Sequence, residues 1–362
     1  MVMIQDCSKF QARLLEWYQK NKRDLPWRQT ENPYFIWISE IMLQQTQVKT
    51  VIPYYFAFIN EFPTILSLAE ANLTRVLKLW EGLGYYSRAR NLHKASKIVV
   101  SEFEGVIPDQ LEDFKSLPGV GSYTAAAVLS IAFHKSLSVV DGNVKRVLAR
   151  LFMINDPVNK PSAHQPFEKT AASLMNSAHP SQHNQAMMEL GALICVPVSP
   201  LCDTCPVGDF CESFKNKITG QFPKRQKAKA KPAYHIAVGV VRKENKLLIT
   251  RRKPEGLLGG LWEFPGGKVE KEETAEQACL REIREEVGLT VSTNSFVKHV
   301  KHEYSHFKIA MDVFICDYIS GTIKLKGPVD HRWIEPSDID RFPFPKANHK
   351  FIPTLLSILA EQ

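Results

Sequence analysis

Leu117-Pro118-Gly119-Val120-Gly121 is a turn between two helix-forming stretches, and it decides how the N-terminal half of the chain folds. Pro118 and Gly119 interrupt a helix, and Gly121 precedes a new apolar helical segment. Backbone N–H groups at the start of such a helix are free to bind a phosphate group. A turn that merely joins two helices is the more common outcome for this motif. The turn alone is therefore a modest signal, and its surroundings determine its meaning.

The first 215 residues consist of one helical segment after another. Helical apolar spacing or good helix formers occur in segments 7–21, 34–46, 63–69, 73–80, 87–103, 122–133, 142–152, 165–178 and 182–194. Pro, Gly or Asn residues occupy the turns between them. Strand-like alternation of apolar and polar residues is absent from this half. The sequence therefore predicts an all-α domain over residues 1–215.

The pattern changes after residue 215. Residues 216–232 are short of large apolar side chains and rich in Lys, which predicts an exposed, extended linker. From residue 233 onward, β-branched runs with partial alternation predict strands: 235–241, 246–250, 296–304, 308–318 and 331–336. Helices are predicted near 274–287 and 347–360. We expect a C-terminal α+β domain over residues 233–362.

Composition limits the class of protein. The 362 residues suit about two domains, and the formal charge of +8 suits a binder of phosphate backbones without requiring one. A basic enzyme with no nucleic-acid partner has the same charge. No signal-peptide core and no apolar run of membrane-spanning length are present. The seven cysteines, an odd number, fit a secreted disulfide framework poorly. We expect a cytoplasmic protein and a monomer.

Four cysteines are concentrated in seventeen residues, with the spacing Cys195-x6-Cys202-x2-Cys205-x5-Cys211. Zinc and a [4Fe–4S] cluster both accept four thiolates. Structural zinc sites usually have two close pairs, whereas here one cysteine precedes a close pair and a wider gap follows. This asymmetric spacing resembles the cluster loop of the endonuclease III and MutY glycosylases, which implies a [4Fe–4S] cluster. The three remaining cysteines are expected to pack as small apolar residues.

Glu40 lies on an otherwise apolar helix, where an isolated carboxylate could simply face solvent. Its surroundings favour another interpretation. The runs 39–48 (SEIMLQQTQV), 82–86 (GLGYY), 88–92 (RARNL) and 184–191 (NQAMMELG) closely resemble the MutY family of adenine DNA glycosylases. The turn at 117–121, followed twenty residues later by Asp141, also resembles the core of this helix–hairpin–helix superfamily. The resemblance extends over about residues 8–212 and comprises several independent motifs in order.

The chemistry of adenine removal agrees with the residues that the resemblance identifies. Adenine must leave as a neutral base, so an acid must protonate it, and a carboxylate must stabilise the oxocarbenium-like sugar. The resemblance implies that Glu40 is the acid, that Asp141 is the carboxylate, and that the adenine is flipped out of the duplex. It also implies contacts with DNA or the flipped base for Arg23, Trp27, Arg28, Gln45, Tyr85, Gly119, Gly121, Asn143 and Gln185.

Tyr123 separates two sister activities. In enzymes similar to endonuclease III, a Lys at the matching position forms a Schiff base and cleaves the strand. A phenol cannot form this imine, so we expect a monofunctional glycosylase in which Tyr123 supports the carboxylate and the substrate by hydrogen bonding. Two alternatives remain open: a bifunctional lyase acting on damaged pyrimidines, and a catalytically silent lesion binder. Tyr123 disfavours the first, and the presence of both Glu40 and Asp141 disfavours the second.

The C-terminal half contains a complete Nudix box, from Gly267 through Glu273 and Arg281 to Leu289. Its carboxylates Glu282, Glu285 and Glu286 are spaced i, i+3 and i+4, so a helix presents them on one face. Such a cluster suits Mg²⁺ or Mn²⁺, although a solvated acidic face has the same spacing.

The same half resembles two families with different activities. Residues 236–252 and 259–270, together with Asn348, resemble MutT, which hydrolyses 8-oxo-dGTP. Tyr304, Ser305 and His306 instead resemble the loop with which MutY proteins read 8-oxoguanine in DNA. The expected partners are duplex DNA containing adenine opposite 8-oxoguanine or guanine and, by the first resemblance, 8-oxo-dGTP. We expect an adenine DNA glycosylase whose C-terminal domain recognises 8-oxoguanine, and both interpretations of that domain stay open.

Overall fold

A computed structural model of the protein describes residues 6–227 and 230–361. Its N-terminal half forms helices, and up to residue 227 no strand occurs among the described residues: α1 (Cys7–Asn21), α2 (Pro33–Leu43), α3 (Val48–Glu61), α4 (Ile65–Glu70), α5 (Leu73–Leu79), α6 (Ser87–Glu102), α7 (Leu111–Ser116), α8 (Ser122–Ala132), α9 (Gly142–Leu151), α10 (Gln165–Leu174), α11 (Pro180–Leu193) and α12 (Glu212–Lys215). The all-α prediction is confirmed. None of the helices in the described ranges is long and apolar enough to cross a membrane.

Three helices were missed by the sequence prediction: α3, α7 and α12. The β-branched and aromatic residues of α3, together with Pro53 inside it, disfavour a helix by intrinsic propensity. Nevertheless Val51, Tyr55 and Phe58 are all buried at helical spacing, so packing of this face outweighs propensity. The other two missed helices, α7 and α12, have only six and four residues, too few for a periodic signal.

The Pro-Gly turn connects α7 to α8 as a helix–hairpin–helix. Gly119 has a φ of 81°, a left-handed conformation that glycine adopts without steric cost. Gly121 is the N-cap residue of α8, and both glycines are exposed. No side chain caps the N-terminus of α8, so the hairpin presents backbone N–H groups to solvent.

Helix α9 starts at a side chain that the sequence analysis associates with chemistry. Asp141 is its N-cap residue, and one carboxylate oxygen accepts a hydrogen bond of 2.6 Å from the backbone N–H of Val144. The apolar face of α9 packs with α1, α10 and α11 in a single core that includes Phe10, Leu148 and Phe167. The cap and the core together fix the position of this carboxylate.

The C-terminal half is α+β, as predicted. Its strands are β1 (Ala233–Lys243), β2 (Lys246–Arg251), β3 (Trp262–Glu263), β4 (Gly266–Lys268), β5 (Thr290–Glu303), β6 (Lys308–Ser320) and β7 (Asp330–Ile334), with helices α13 (Ala275–Val287) and α14 (Ile352–Ala360). The sheet order is β3-β2-β1-β6-β5, with β4 paired to β1 and β7 to β2. Strands β1 and β6 are parallel. The short β3 and β4 were not predicted, because two or three residues carry no readable period.

Each face of this sheet has its own core. Helix α13 packs on one face through Ala278, Cys279 and Ile283. On the other face, α14 and the loop before it pack through residues such as Phe351 and Leu355. Helix α14 begins at Ile352, later than predicted, with Pro353 in its first turn, a position where proline is tolerated.

The chain divides into two compact units whose boundaries differ from the predicted domains. The first unit contains described residues 6–69 and 94–227, and the second contains 70–93 and 230–361. Segment 70–93 belongs to the second unit because its side chains bond to C-terminal residues. The Arg90 guanidinium donates to the carbonyl of Gly259 at 2.6 Å, and Glu81 accepts from the backbone N–H of Phe344 at 2.7 Å.

The predicted linker, residues 216–232, is only partly exposed, which corrects the sequence prediction. Phe222 is buried, and its carbonyl accepts a hydrogen bond from the Nε of Arg150 at 3.1 Å. Lys224 and Gln226 also make backbone hydrogen bonds, with Val158 and Asn159 respectively. One aromatic side chain thus ties the start of this Lys-rich segment to the first unit. Residues 228 and 229 of the segment lie outside the described residues.

Candidate functional site

A cavity of about 170 Å³ opens in the first unit. It gathers most of the residues that the sequence analysis proposed for this half: Arg23, Trp27, Arg28, Glu40, Tyr123, Asp141, Asn143 and Gln185. Gly119 and Gly121 lie apart, on the exposed hairpin. Gln45 is not among the described lining residues. Helix α2 ends at Leu43, so Gln45 lies beyond the helix, in a turn where its φ is 56°.

Glu40 lies on α2 with only 4% of its surface exposed. The hydroxyl of Tyr123, on α8, donates a hydrogen bond of 2.7 Å to its Oε2. Burial raises the pKa of Glu40 to about 7, even though the Tyr123 hydrogen bond acts in the opposite direction. Asp141 adds to the rise and Arg28 opposes it. A carboxyl group with this pKa can hold a proton near neutral pH and can also release it.

Asp141 differs from Glu40 in its hydrogen bonds. Besides the Val144 N–H, the side-chain amide of Asn143 donates to its Oδ2 at 3.0 Å. Burial raises the pKa of Asp141, whereas these donors favour the charged form. Two carboxyl groups thus line one cavity, and the one with more hydrogen-bond donors is the one better suited to stay ionised.

Glu189, on α11, also lines this cavity, although it was not predicted from the sequence to be a site residue. Its side chain is fully buried and accepts hydrogen bonds from the guanidinium groups of Arg23 and Arg28, at distances from 2.7 to 3.1 Å. Burial acts to raise its pKa, but these donors lower the pKa to about 2. The signal was present in the sequence, since this Glu lies inside the 184–191 run. Glu189 fixes both arginines at the wall of the cavity.

Tyr18, on α1, is a second residue that the sequence analysis did not single out. Its hydroxyl donates to the Oε1 of Gln185 at 3.0 Å, and its ring lies under the Arg28 guanidinium at 5.5 Å from the ring centroid. The Nε2 of Gln185 donates to the Ser181 hydroxyl at 3.1 Å. The amide of Gln185 is therefore held at both of its polar atoms.

A chain of hydrogen bonds connects Asp141 to the cysteine loop. The Oδ1 of Asn143 accepts from the Nη2 of Arg146 at 2.8 Å, and the Nε of Arg146 donates to the carbonyl of Cys195 at 2.7 Å. Gly191 allows α11 to approach, because a Cβ there would lie 2.7 Å from the Cβ of Asn143. The loop that begins at Cys195 thus supports the residue that orients Asp141.

The four clustered cysteines, Cys195, Cys202, Cys205 and Cys211, line one small apolar cavity of about 30 Å³, and none forms a disulfide. Arg150 donates a hydrogen bond of 3.3 Å to the Sγ of Cys195, so a buried cation faces the thiols. Within 6–227 and 230–361, no three Cys, His, Asp or Glu side chains converge closely enough to hold one metal ion. Four thiols that line one cavity match the four-thiolate donor set of a [4Fe–4S] cluster.

The second unit has a cavity of about 510 Å³ that contains four residues named by the sequence analysis: Tyr85, Tyr304, Ser305 and His306. The Tyr85 hydroxyl donates to the Oγ of Ser305 at 2.5 Å, and the Tyr85 and His306 rings meet edge to face at 6.4 Å. Aromatic rings and a hydroxyl on one cavity wall can stack on a base and bond to its edge.

The Nudix carboxylates lie on α13, as the spacing predicts, but they are bonded to an arginine. Arg281 donates to Glu273 at 2.7 Å, to Glu282 at 3.0 Å and to Glu285 at 3.3 Å. Burial and the nearby Glu263 raise the pKa of Glu286 to about 7. The oxygen donors fit a hard divalent cation, which would require Glu282 and Glu285 to turn away from Arg281.

One further carboxylate of the second unit lies close to Glu286. Glu263, on β3, forms a two-pronged ion pair with Arg252, at 2.7 and 2.8 Å, and is a carboxylate outside the Nudix box that the sequence did not reveal. Asn348 is 7% exposed. Tyr304 accepts a hydrogen bond from the backbone of Ala347, next to Asn348, and stacks on Phe307 at 4.7 Å.

Comparisons with protein families agree with this architecture. Residues 38–172 match the HhH-GPD superfamily base excision DNA repair proteins, residues 195–211 match the iron-sulfur binding domain of endonuclease III, and residues 237–354 match a NUDIX domain. A solved thermostable thymine-DNA glycosylase superposes with a TM-score of 0.54 and 28% identity, covering 59% of this chain and 98% of that one. Fold and matches together define a DNA-binding base-excision glycosylase with an iron–sulfur cluster loop and a Nudix domain.

Relatives that match most of this chain identify the family within this class. The adenine DNA glycosylase of Mus musculus is 36% identical over 366 residues, covering 86% of this chain and 71% of the relative. That of Homo sapiens is 35% identical and covers 91% and 71%, and that of Buchnera aphidicola subsp. Baizongia pistaciae is 40% identical and covers 71% and 73%. The chain belongs to the adenine DNA glycosylase family and is a hydrolase of the N-glycosidic bond in base excision repair.

Proposed function

We propose that the protein is a monofunctional glycosylase that removes adenine opposite 8-oxoguanine and, second in preference, opposite guanine. The observation that carries this proposal is the pair of carboxyl groups that line one cavity, with the pKa of Glu40 raised to about 7 and Asp141 surrounded by N–H donors. An acid and a carboxylate are the two groups that adenine release needs.

In the proposed reaction, the flipped adenine enters the cavity and Glu40 protonates it, so that the base leaves neutral. Asp141 stabilises the positive charge that develops on the sugar, and water completes the hydrolysis. Tyr123 keeps the Glu40 carboxyl oriented through its 2.7 Å hydrogen bond, and its phenol supplies no amine for strand cleavage. Glu189 holds Arg23 and Arg28 at the cavity wall, where they shape the base pocket beside Trp27.

The cavity of the second unit supports the proposed reading of 8-oxoguanine. This base differs from guanine by a carbonyl at C8 and an N–H at N7. The Ser305 hydroxyl can accept from one group and donate to the other, and Tyr85 and His306 can stack on the base. The exposed N–H groups at Gly119 and Gly121 and the side chains of Gln45 and Asn143 complete the proposed contacts.

The first test compares duplexes with adenine opposite 8-oxoguanine, guanine and thymine under single-turnover conditions. We expect excision in that order of rate. Ser305→Ala is expected to lower the preference for 8-oxoguanine over guanine by about fivefold, the loss of one neutral hydrogen bond. Ser292→Ala, an exposed serine on β5, is the matched control. Equal rates on all three duplexes would contradict the proposed substrate.

We propose that the cysteine loop holds a [4Fe–4S] cluster, ligated by Cys195, Cys202, Cys205 and Cys211. Such a cluster would order the loop whose Cys195 carbonyl accepts a hydrogen bond from Arg146, the residue on α9 that also holds Asn143. Anaerobically purified protein is expected to be yellow-brown and to carry about four irons per chain. Cys202→Ala should lose the iron, whereas Cys7→Ala should keep it. Zinc in place of iron would contradict the assignment.

A second activity, hydrolysis of 8-oxo-dGTP to the monophosphate, is favoured by the complete Nudix box and by Asn348. Glu282, Glu285 and Glu286 would hold Mg²⁺ or Mn²⁺, which when bound activates water and neutralises phosphate charge. We expect wild type to release pyrophosphate and Glu285→Gln to lose this release while keeping adenine excision. Glu276→Gln, exposed on the first turn of the same helix, should keep both. If the wild-type protein releases no pyrophosphate, the Nudix box has only a structural role and the proposed second activity is wrong.

A further inference from the structure

Tyr18 is placed to control the amide of Gln185. It is 4% exposed on α1, and its ring is fixed beneath the Arg28 guanidinium. Its hydroxyl contacts the Oε1 of Gln185, a residue that lines the cavity with Glu40. Burial raises the pKa of Tyr18, so its hydroxyl keeps its proton at neutral pH and stays a donor.

The two hydroxyls bonded to Gln185 differ in strength as donors. A phenol, with an ordinary pKa of about 10, is a much stronger hydrogen-bond donor than the aliphatic hydroxyl of Ser181. The amide is therefore most stable with its oxygen towards Tyr18 and its nitrogen towards Ser181, the observed orientation. The opposite orientation would place an N–H₂ group against the better donor.

This orientation matters for base selection. An amide oxygen has two lone pairs and an amide nitrogen has two hydrogens, so each atom retains one free position for a ligand in the cavity. Adenine offers an N6 amino donor beside ring-nitrogen acceptors, which a glutamine amide matches with two hydrogen bonds. A 6-oxopurine, such as hypoxanthine or guanine, carries an acceptor at C6, which the fixed amide oxygen repels.

We propose that Tyr18 is a positioning residue that fixes the amide orientation of Gln185 and thereby makes the cavity select adenine over 6-oxopurines. The inference rests on the proposed contact between Gln185 and the flipped base. It assigns to Tyr18 no proton transfer and no contact with the reacting atoms. Its effect is therefore on discrimination between bases and leaves the acid chemistry of Glu40 unchanged.

The test uses the full-length protein and two duplexes that differ only in the target base, adenine or hypoxanthine, each opposite 8-oxoguanine. Tyr18→Phe keeps the ring under Arg28 and removes only the hydroxyl. We expect the ratio of the adenine to the hypoxanthine excision rate to fall about fivefold, since one neutral hydrogen bond no longer fixes the amide. Ser181→Ala, which removes the other partner of the same amide, should leave the ratio within about twofold because a weaker hydroxyl is lost.

Measuring both bases on one preparation cancels any change in the folded fraction, so a merely structural role for Tyr18 would leave the ratio unchanged. An unchanged ratio in Tyr18→Phe, or equal losses in Tyr18→Phe and Ser181→Ala, would overturn the inference. The variant Gln185→Ala tests the proposed contact between Gln185 and the flipped base separately from the role of Tyr18. If Gln185→Ala keeps the wild-type ratio of excision rates, the proposed contact with the base is wrong. If the ratio falls in Gln185→Ala, adding Tyr18→Phe to this variant should not lower the ratio further. The pH profile of adenine excision should be the same in wild type and Tyr18→Phe.

Discussion

Asp141→Asn is expected to lower the single-turnover rate of adenine excision by about a thousandfold while DNA binding stays close to that of wild type. The charge of the carboxylate acts on the oxocarbenium-like transition state, and removal of one preorganised electrostatic group from such a site costs about this much. Asparagine has nearly the same shape and is an equally good N-cap residue, so α9 should remain in place. The loss should appear in the rate and not in the affinity for substrate.

Asp6→Asn is the matched control for this variant. Asp6 is the N-cap residue of α1, and its carboxylate accepts from the backbone N–H of Lys9 at 2.9 Å, as Asp141 does for Val144. The same substitution there removes a capping charge from a residue outside the cavity lining. Excision by Asp6→Asn at the wild-type rate would show that capping alone does not explain the loss. Near-normal excision by Asp141→Asn would remove this residue from its proposed role.

Glu40→Gln is expected to lower the excision rate by roughly 10²- to 10⁴-fold, the usual contribution of a general acid. The amide still accepts the Tyr123 hydrogen bond, so packing in the buried site is retained. The pH dependence is the sharper readout. Burial raises the pKa of Glu40 to about 7, so the protonated, active form prevails below that pH and is lost above it.

For wild type we therefore expect a rate that is half-maximal near pH 7 and falls about tenfold per unit well above it, as one deprotonation requires. The rate should also fall at low pH, where Asp141 takes up a proton and loses the charge that stabilises the sugar. The residual rate of Glu40→Gln should not show the fall at high pH. Glu168→Gln, on α10 and outside the cavity lining, controls for a general change of charge and should keep the wild-type profile. A wild-type profile that is flat between pH 6 and 9 would contradict the role of Glu40.

Local patterns were sufficient to predict much of this protein. The helical periodicity of the first half, the hairpin at Gly119 and Gly121, and the strand runs after residue 233 predicted the fold class correctly. The spacing of the cysteines and the order of the motifs predicted the family. These features are readable because each depends on neighbours in sequence: a left-handed turn favours glycine, a helix face repeats every three or four residues, and a thiolate loop has closely spaced cysteines.

Other features depended on contacts between residues distant in sequence. Packing of Val51, Tyr55 and Phe58 makes α3 a helix against its propensity, and buried Phe222 ties down part of the expected linker. Segment 70–93 groups with the C-terminal unit because Arg90 and Glu81 bond to residues far along the chain. No local pattern encodes these pairs, since burial arises only when the chain is folded.

At the functional site, too, some properties follow from the sequence alone and others only from the tertiary structure. The sequence by itself identified Glu40 and Asp141 as residue types able to act as acid and carboxylate, and it identified the Nudix carboxylates by their helical spacing. Only the tertiary structure decided their electrostatic states. Burial between helices raises the pKa of Glu40, the arginines give Glu189 its low pKa, and Arg281 holds Glu282 and Glu285 in ion pairs. A pKa depends on solvent access and on nearby charges and donors in space, and these are fixed by the packing of helices that are far apart in the sequence.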